Sequence, residues 1–343
     1  MADRFVVHVG PHKTGSTYLQ CAFTVAVEPL RARGILYPTG CGSLQGHFPL
    51  AGLLRTRQDA KLREWFDRFA ETGAPTVLLS SEEFSALSRD ELRTLKGLMH
   101  PADVTIVFHC RRPTEILLSG WREMVKHGIT YGLPEHPSRA LSDGSESETV
   151  NLLPRLSRIA SVFGAESLRL VPYNDLIAGN VNLFQHFCAR FLDWPDAAAP
   201  TIRRMNRSLS AQDAEFLRMM NVLDGRRPGH PAQRLYARFV AHRPSIDLTS
   251  ILGAMQGHLV TLSLDETRAP FQGWHNRVRD RFGDALTDPT EQGTLYPPIQ
   301  SDLTYVRTDY LAEPGVPDRL RELHAQIDGL SDPEPMAFVL RHL

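Results

Sequence analysis

No run of about 18 consecutive apolar residues occurs in this 343-residue chain, so no stretch reads as a transmembrane helix. A charge bias is missing as well. Lys and Arg number 38 against 39 Asp and Glu, a formal net charge of −1. Such a balance argues against a global binder of nucleic acid or of anionic membrane, and any anion site must be a local concentration of charge. Cysteine is scarce: Cys21, Cys41, Cys110 and Cys188 are far apart and form no C-x-x-C. A disulfide framework or a zinc site is not expected, and a reducing cytoplasm fits. The 14 histidines include no H-x-x-x-H or H-E-x-x-H pair on a helix-forming stretch, so no metal is expected. Met1-Ala2-Asp3-Arg4 leads straight into an apolar run, without the longer apolar region and cleavage site of a signal peptide. The expected location is therefore cytoplasmic.

What is present is ordinary globular material, 42% hydrophobic and 22% charged, with strand and helix signals in alternation. Phe5 to Val9, Thr76 to Ser80, Val104 to Phe108 and Leu168 to Val171 are short apolar runs of the kind that form buried parallel strands. A further short extended piece covers Ile35 to Pro38. Between them lie helical patterns after Thr14, over Leu53 to Ala70, Ser88 to Met99, Pro113 to Lys126, Leu152 to Phe163 and Asn182 to Leu192. Ser88 with Glu91 three positions later reads as a capping box. Gly132 to Val150 reads as an exposed loop, and Asp196 to Pro200 as a linker. Helices are expected near Ala211 to Leu223 and Ala232 to Val240, and the chain after Asp284 is poorly periodic. The expected fold is α/β: a three-layer, P-loop-type parallel sheet flanked by helices, with a mostly helical C-terminal extension. The expected domains are residues 1–195 as core and 196–343 as a helical region completing it and shaping the acceptor pocket.

Ligands on such sheets bind beyond the carboxyl ends of the strands. That rule gathers three sets of residues. The first strand delivers Gly10-Pro11-His12-Lys13-Thr14-Gly15-Ser16-Thr17. A strand, a glycine-bearing turn and a helix start form a phosphate cradle, because the first helical N–H groups have no intrahelical partner. Gly10 and Gly15 have Walker A spacing, but Lys13 stands two places before Gly15 instead of directly after it. The second strand delivers Ser80, Ser81, Glu82 and Glu83, and the third Arg111 and Arg112. Arginine offers a forked, permanent cation to a phosphate. Ser119, eight residues after Arg111, is expected on the same helix face. No Walker B carboxylate follows the third of these strands, where the chain reads Phe108-His109-Cys110-Arg111.

The G-P-H-K-T-G-S-T loop resembles the 5′-phosphosulfate loop of sulfotransferases that use 3′-phosphoadenosine 5′-phosphosulfate (PAPS), most closely in pattern the carbohydrate sulfotransferases. Arg111-Arg112-Pro113 with Ser119 resembles their 3′-phosphate motif, although Arg112 stands where the family often has an acidic or amide residue. Tyr173-Asn174-Asp175-Leu176 is similar to a Tyr-Glu-Asp-Leu segment of the family, with Asn174 in place of Glu. The resemblance covers roughly residues 4 to 195. It implies sulfuryl transfer from PAPS to an acceptor hydroxyl or amine of a small molecule or glycan, releasing 3′-phosphoadenosine 5′-phosphate (PAP), without a metal. Cofactor binding is expected of Lys13, Thr14, Gly15, Ser16, Thr17, Arg111 and Ser119. Lys13 is expected to stabilise the leaving phosphate. His47 and Glu82 compete for the role of base, with Glu83 as a substitute, and Arg203, Arg204 or Arg207 as candidate cover for the nucleotide. Two other readings stand beside this one: a P-loop kinase of nucleotides or small molecules, and a PAP-binding module without catalysis.

Overall fold

The structure is a computed structural model. It describes residues 2–39, 46–142, 148, 150–202, 209–225, 230–268, 270–286 and 300–332. The chain divides into two compact units that are interleaved in sequence. The first comprises 1–112, 151–203 and 268–298, and the second 113–150, 204–267 and 299–343. The split expected at residue 195 therefore differs from the observed one. Residues 113–150 belong with the second unit, and 268–298 return to the first.

The first unit is built on five parallel strands: β1 (Arg4–His8), β2 (Ile35–Leu36), β3 (Thr76–Ser80), β4 (Asp103–Cys110) and β5 (Leu168–Pro172). Their order across the sheet is β2-β3-β1-β4-β5, so β1 lies at the centre between β3 and β4. Period-2 alternation sends successive side chains to opposite faces. Phe5, Val7, Val77, Leu79, Ile106 and Phe108 enter one core, and Val6, Leu78, Val107 and Val171 enter another. Both faces are apolar, which is why the strands read as continuous hydrophobic runs.

The first core is closed by helices α3 (Phe48–Arg55), α4 (Asp59–Glu71) and α5 (Arg89–Met99) and by the helices Leu153–Phe163 and Phe271–Phe282. The second is closed by α1 (Ser16–Val25), α2 (Val27–Arg31) and the helix Leu183–Phe191. The unit is thus an α/β sheet with helices on both faces. Ser88 caps α5 through a complete capping box with Glu91. The single helix expected over Leu53 to Ala70 is two helices, α3 and α4. Arg57 breaks the run by taking a φ of 51°.

The second unit packs α6 (Pro113–Lys126), Ala211–Asp224, His230–His242, Thr249–Gln256 and Val316–Asp328 around its own core. It also holds an antiparallel pair, β6 (Leu259–Asp265) and β7 (Gln300–Val306), where a helical extension was expected. β6 alternates apolar and polar residues from Val260 to Asp265, although none of its residues is fully buried. The stretch Gly132 to Val150 contains the helix His136–Ser142, not only loop. Among the described residues, no helix is long and apolar enough to cross a membrane.

Candidate active site

β1 ends at His8, and the segment Val9–Gly15 runs on from it to α1. Its neighbours keep hold of it past the last strand residue. The N–H of Val9 donates to Val107 at 3.0 Å, and the N–H of His109 donates to the Gly10 carbonyl at 2.8 Å. The backbone then turns through three left-handed residues: Gly10 at φ 80°, Lys13 at 69° and Gly15 at 77°. Left-handed backbone costs a non-glycine residue about 1–2 kcal/mol, so Lys13 is held there by its surroundings. Glycine at position 10 has a second cause. A Cβ there would lie 2.7 Å from Glu82 Cβ and 2.9 Å from Glu82 Cα. A Cβ at Gly15 would lie 2.5 Å from Leu183 Cδ1. The two glycines let the turn after β3 and the helix Leu183–Phe191 press against the loop.

Gly15 is the N-cap of α1, with no side-chain cap, and the first turn carries no acidic residue. The helix's own first turn therefore places no carboxylate against the positive end of its dipole. Thr14 is fully buried and its hydroxyl donates to the Pro11 carbonyl at 2.6 Å. The Thr14 side chain therefore closes the loop from inside. Ser16 is also buried, while Lys13 and Thr17 are half-buried at the loop surface.

Arg111 joins the loop from β4. Its guanidinium donates to the Lys13 carbonyl and stacks over the Tyr173 ring, 5.4 Å from the centroid. Arg112 is buried, and its N–H donates to Asn174 Oδ1 at 2.9 Å. Burial raises the Asp175 carboxyl above its ordinary range, with Arg112 opposing it. The ends of β1, β4 and β5 are in this way tied together around Lys13. α6 begins at Pro113, as expected, so Arg111 precedes the helix that carries Ser119. Ser119 lies in the second unit, its hydroxyl donating to the Glu115 carbonyl at 2.8 Å. The start of α6 is capped within that unit. Glu266 Oε1 accepts from the Thr114 N–H at 3.1 Å and from the Thr114 hydroxyl at 2.5 Å. Arg203, Arg204 and Arg207 lie outside the described residues.

Glu82 and Glu83 follow β3. Ser81 opens this turn, its Oγ accepting from the Glu83 N–H at 3.3 Å. Glu82 is buried, and its Oε2 accepts from Gln20 Nε2 at 2.8 Å. Glu83 Oε2 accepts from Arg55 at 2.6 Å. His12 lies between the two acids, with Nδ1 3.5 Å from Glu82 Oε1 and Nε2 3.2 Å from Glu83 Oε1. Burial pushes the Glu83 carboxyl up, but Arg55 and His12 together outweigh it and hold it below its ordinary value. Gln20 and Arg55 were not singled out in the sequence, and His12 only as a residue lining the loop. Gln20 had one signal, an amide among the apolar residues Leu19, Ala22 and Phe23 of α1.

His47 is placed differently from the expectation of a base in an open loop. It is fully buried, and its Nδ1 accepts from the Ser80 N–H at 2.9 Å while Nε2 faces the Pro38 carbonyl at 3.0 Å. Both ring nitrogens are therefore committed to backbone, one as acceptor and one as donor. Burial lowers its pKa to about 4, against the pull of the Ser80 and Pro38 carbonyls. The ring ties β3 to the chain after β2. Two more histidines lie within the sheet. His8 Nδ1 is 2.8 Å from Ser80 Oγ, and the His8 and His109 rings meet edge to face with centroids 5.1 Å apart. Burial pushes His8 down to about 3 and His109 well below the ordinary range. Among the described residues, no group of His, Cys, Asp and Glu has the arrangement of a metal site. In comparisons with protein-family models, curated proteins and solved structures, the chain matches none.

Proposed function

We propose that the protein transfers a sulfuryl group from PAPS to an acceptor hydroxyl or amine, releasing PAP. The observation that carries this reading is the loop from Gly10 to Thr17. It leads into an uncapped helix start and carries Lys13, while Arg111 from the next strand is bonded to the Lys13 carbonyl. Two cations on adjacent strand ends suit a ligand with two separate phosphates better than a single one. In the proposed roles the N–H groups opening α1, with Lys13, hold the 5′-phosphate. Arg111 takes the 3′-phosphate, and Ser119 enters on the sequence match alone.

The acceptor oxygen or nitrogen attacks sulfur, and the S–O bond to the 5′-phosphate breaks. The electron pair leaves with PAP, where Lys13 offsets the growing charge. The acceptor's proton goes to a base. We assign that role to Glu82, not His47, because Glu82 is a carboxylate beside Gly10, whereas both nitrogens of His47 are engaged by backbone.

One observation favours a second reading. Glu82 is an acid at the end of the strand beside β1, a position from which a kinase could ligate magnesium. Incubation with PAPS and a panel of glycans, alcohols and amines, in parallel with ATP and magnesium, separates them. PAP formation that requires an acceptor and is lost in Lys13→Ala supports sulfuryl transfer. Magnesium-dependent ATP turnover with no affinity for PAP contradicts it. PAP binding without any turnover points to a module that only binds.

A further inference from the structure

His12 is half exposed on the loop, one residue before Lys13. Its ring spans Glu82 at 3.5 Å and Glu83 at 3.2 Å, one carboxylate near each nitrogen. A neutral imidazole has one N–H and satisfies only one of them, whereas an imidazolium donates to both. The other charges facing this edge are Arg55 on Glu83, Lys13 beside His12, and Arg111 on the Lys13 carbonyl. With His12 neutral, Glu82, Glu83 and Arg55 sum to one negative charge that offsets part of the attraction of Lys13 and Arg111 for an anion. With His12 protonated, that offset is cancelled. An anion arriving at the loop meets less repulsion in the second state, and its own charge further favours the imidazolium.

We propose that His12 is the proton-linked residue of this site: an anionic ligand on the loop binds together with a proton taken up from solvent by His12. The idea rests on the nucleotide reading only for the choice of ligand. Linkage makes the effect reciprocal. If the ligand raises the proton affinity of His12, protonation raises ligand affinity by the same factor, so binding weakens as pH rises. Glu82 and Glu83 hold the ring in place, and Arg55 keeps Glu83 ionised for that purpose.

The test is calorimetric titration of PAP into the whole protein in two buffers of different ionisation enthalpy, for wild type and His12→Asn. Wild type is expected to take up protons on binding, and His12→Asn to lose that uptake. The ratio of wild-type to variant affinity, in which ionisation of the ligand's own phosphates cancels, is expected to fall on the order of tenfold from acid to alkaline pH. Equal proton uptake in wild type and His12→Asn overturns the proposal. If PAP does not bind wild type at any pH, the nucleotide reading fails, and inorganic pyrophosphate becomes the probe. His12-dependent uptake with pyrophosphate then sustains the proposal alone, and no binding of either anion ends both.

Discussion

At the scale of single residues, Gly10, Gly15 and His47 carry separable jobs. Gly10→Ala places a methyl group 2.7 Å from Glu82 Cβ at a positive φ. Backbone strain alone is expected to cost about 1–3 kcal/mol. Urea unfolding should show the loss, and PAP affinity should fall with it because the same backbone forms the cradle. His47→Ala removes the partners of the buried Ser80 N–H and Pro38 carbonyl. Each unpaired group is expected to cost about 1–3 kcal/mol, read as a lower unfolding free energy. Glu82→Gln should behave in the opposite way, keeping its shape and near-native stability while sulfuryl transfer is lost. If instead His47→Asn folds normally and abolishes turnover while Glu82→Gln retains it, the assignment of the base is wrong.

At the scale of elements, the strands of the sheet and the loop after β1 were legible because their signals are local. β1, β3, β4 and β5 are runs of apolar residues buried on both faces, and the Ser88–Glu91 box announces α5 within four residues. Ser88→Ala is expected to cost about 1 kcal/mol in urea unfolding and to leave PAP binding unchanged. β6 and β7 were not legible. Val260, Leu262 and Leu264 alternate with polar residues, but the partner strand arrives only after the helix Phe271–Phe282 and the chain beyond it. The acid cluster was hidden for a related reason. Gln20 and Glu82 are 62 positions apart, and only the pairing of β1 with β3 makes them neighbours. α6 was equally legible: its observed bounds, Pro113 to Lys126, are those expected.

At the scale of the whole molecule, buried histidines contribute to the response to acid: His8, His47 and His109 in the first unit, with His136 and His275 shifted in the same direction. His8, His47 and His109 all have folded-state pKa values below the ordinary 6.5. Below that pH the unfolded chain binds protons that the folded chain refuses, so stability must fall as pH falls. The window runs from 6.5 down to about 4 for His47 and about 3 for His8. Each neutral histidine contributes a slope of up to about 1.4 kcal/mol per pH unit there. Urea midpoints at successive pH values should show it. His109→Phe should flatten it, since among the described residues neither nitrogen of His109 has a hydrogen-bond partner. An unchanged slope in that variant would remove His109 from the account. Ligand binding acts in the stabilising direction. A ligand at a hundred times its dissociation constant adds about 2.7 kcal/mol, visible as a raised Tm.

The central claim is that Lys13 and Arg111 serve two phosphates of one nucleotide. Calorimetric titration of PAP and of adenosine 5′-monophosphate into wild type and Arg111→Ala tests it most directly. PAP should bind wild type more tightly than the monophosphate does, and Arg111→Ala should erase that difference while leaving monophosphate binding nearly intact. Equal affinity of wild type for the two nucleotides, or equal loss of both in Arg111→Ala, would contradict it.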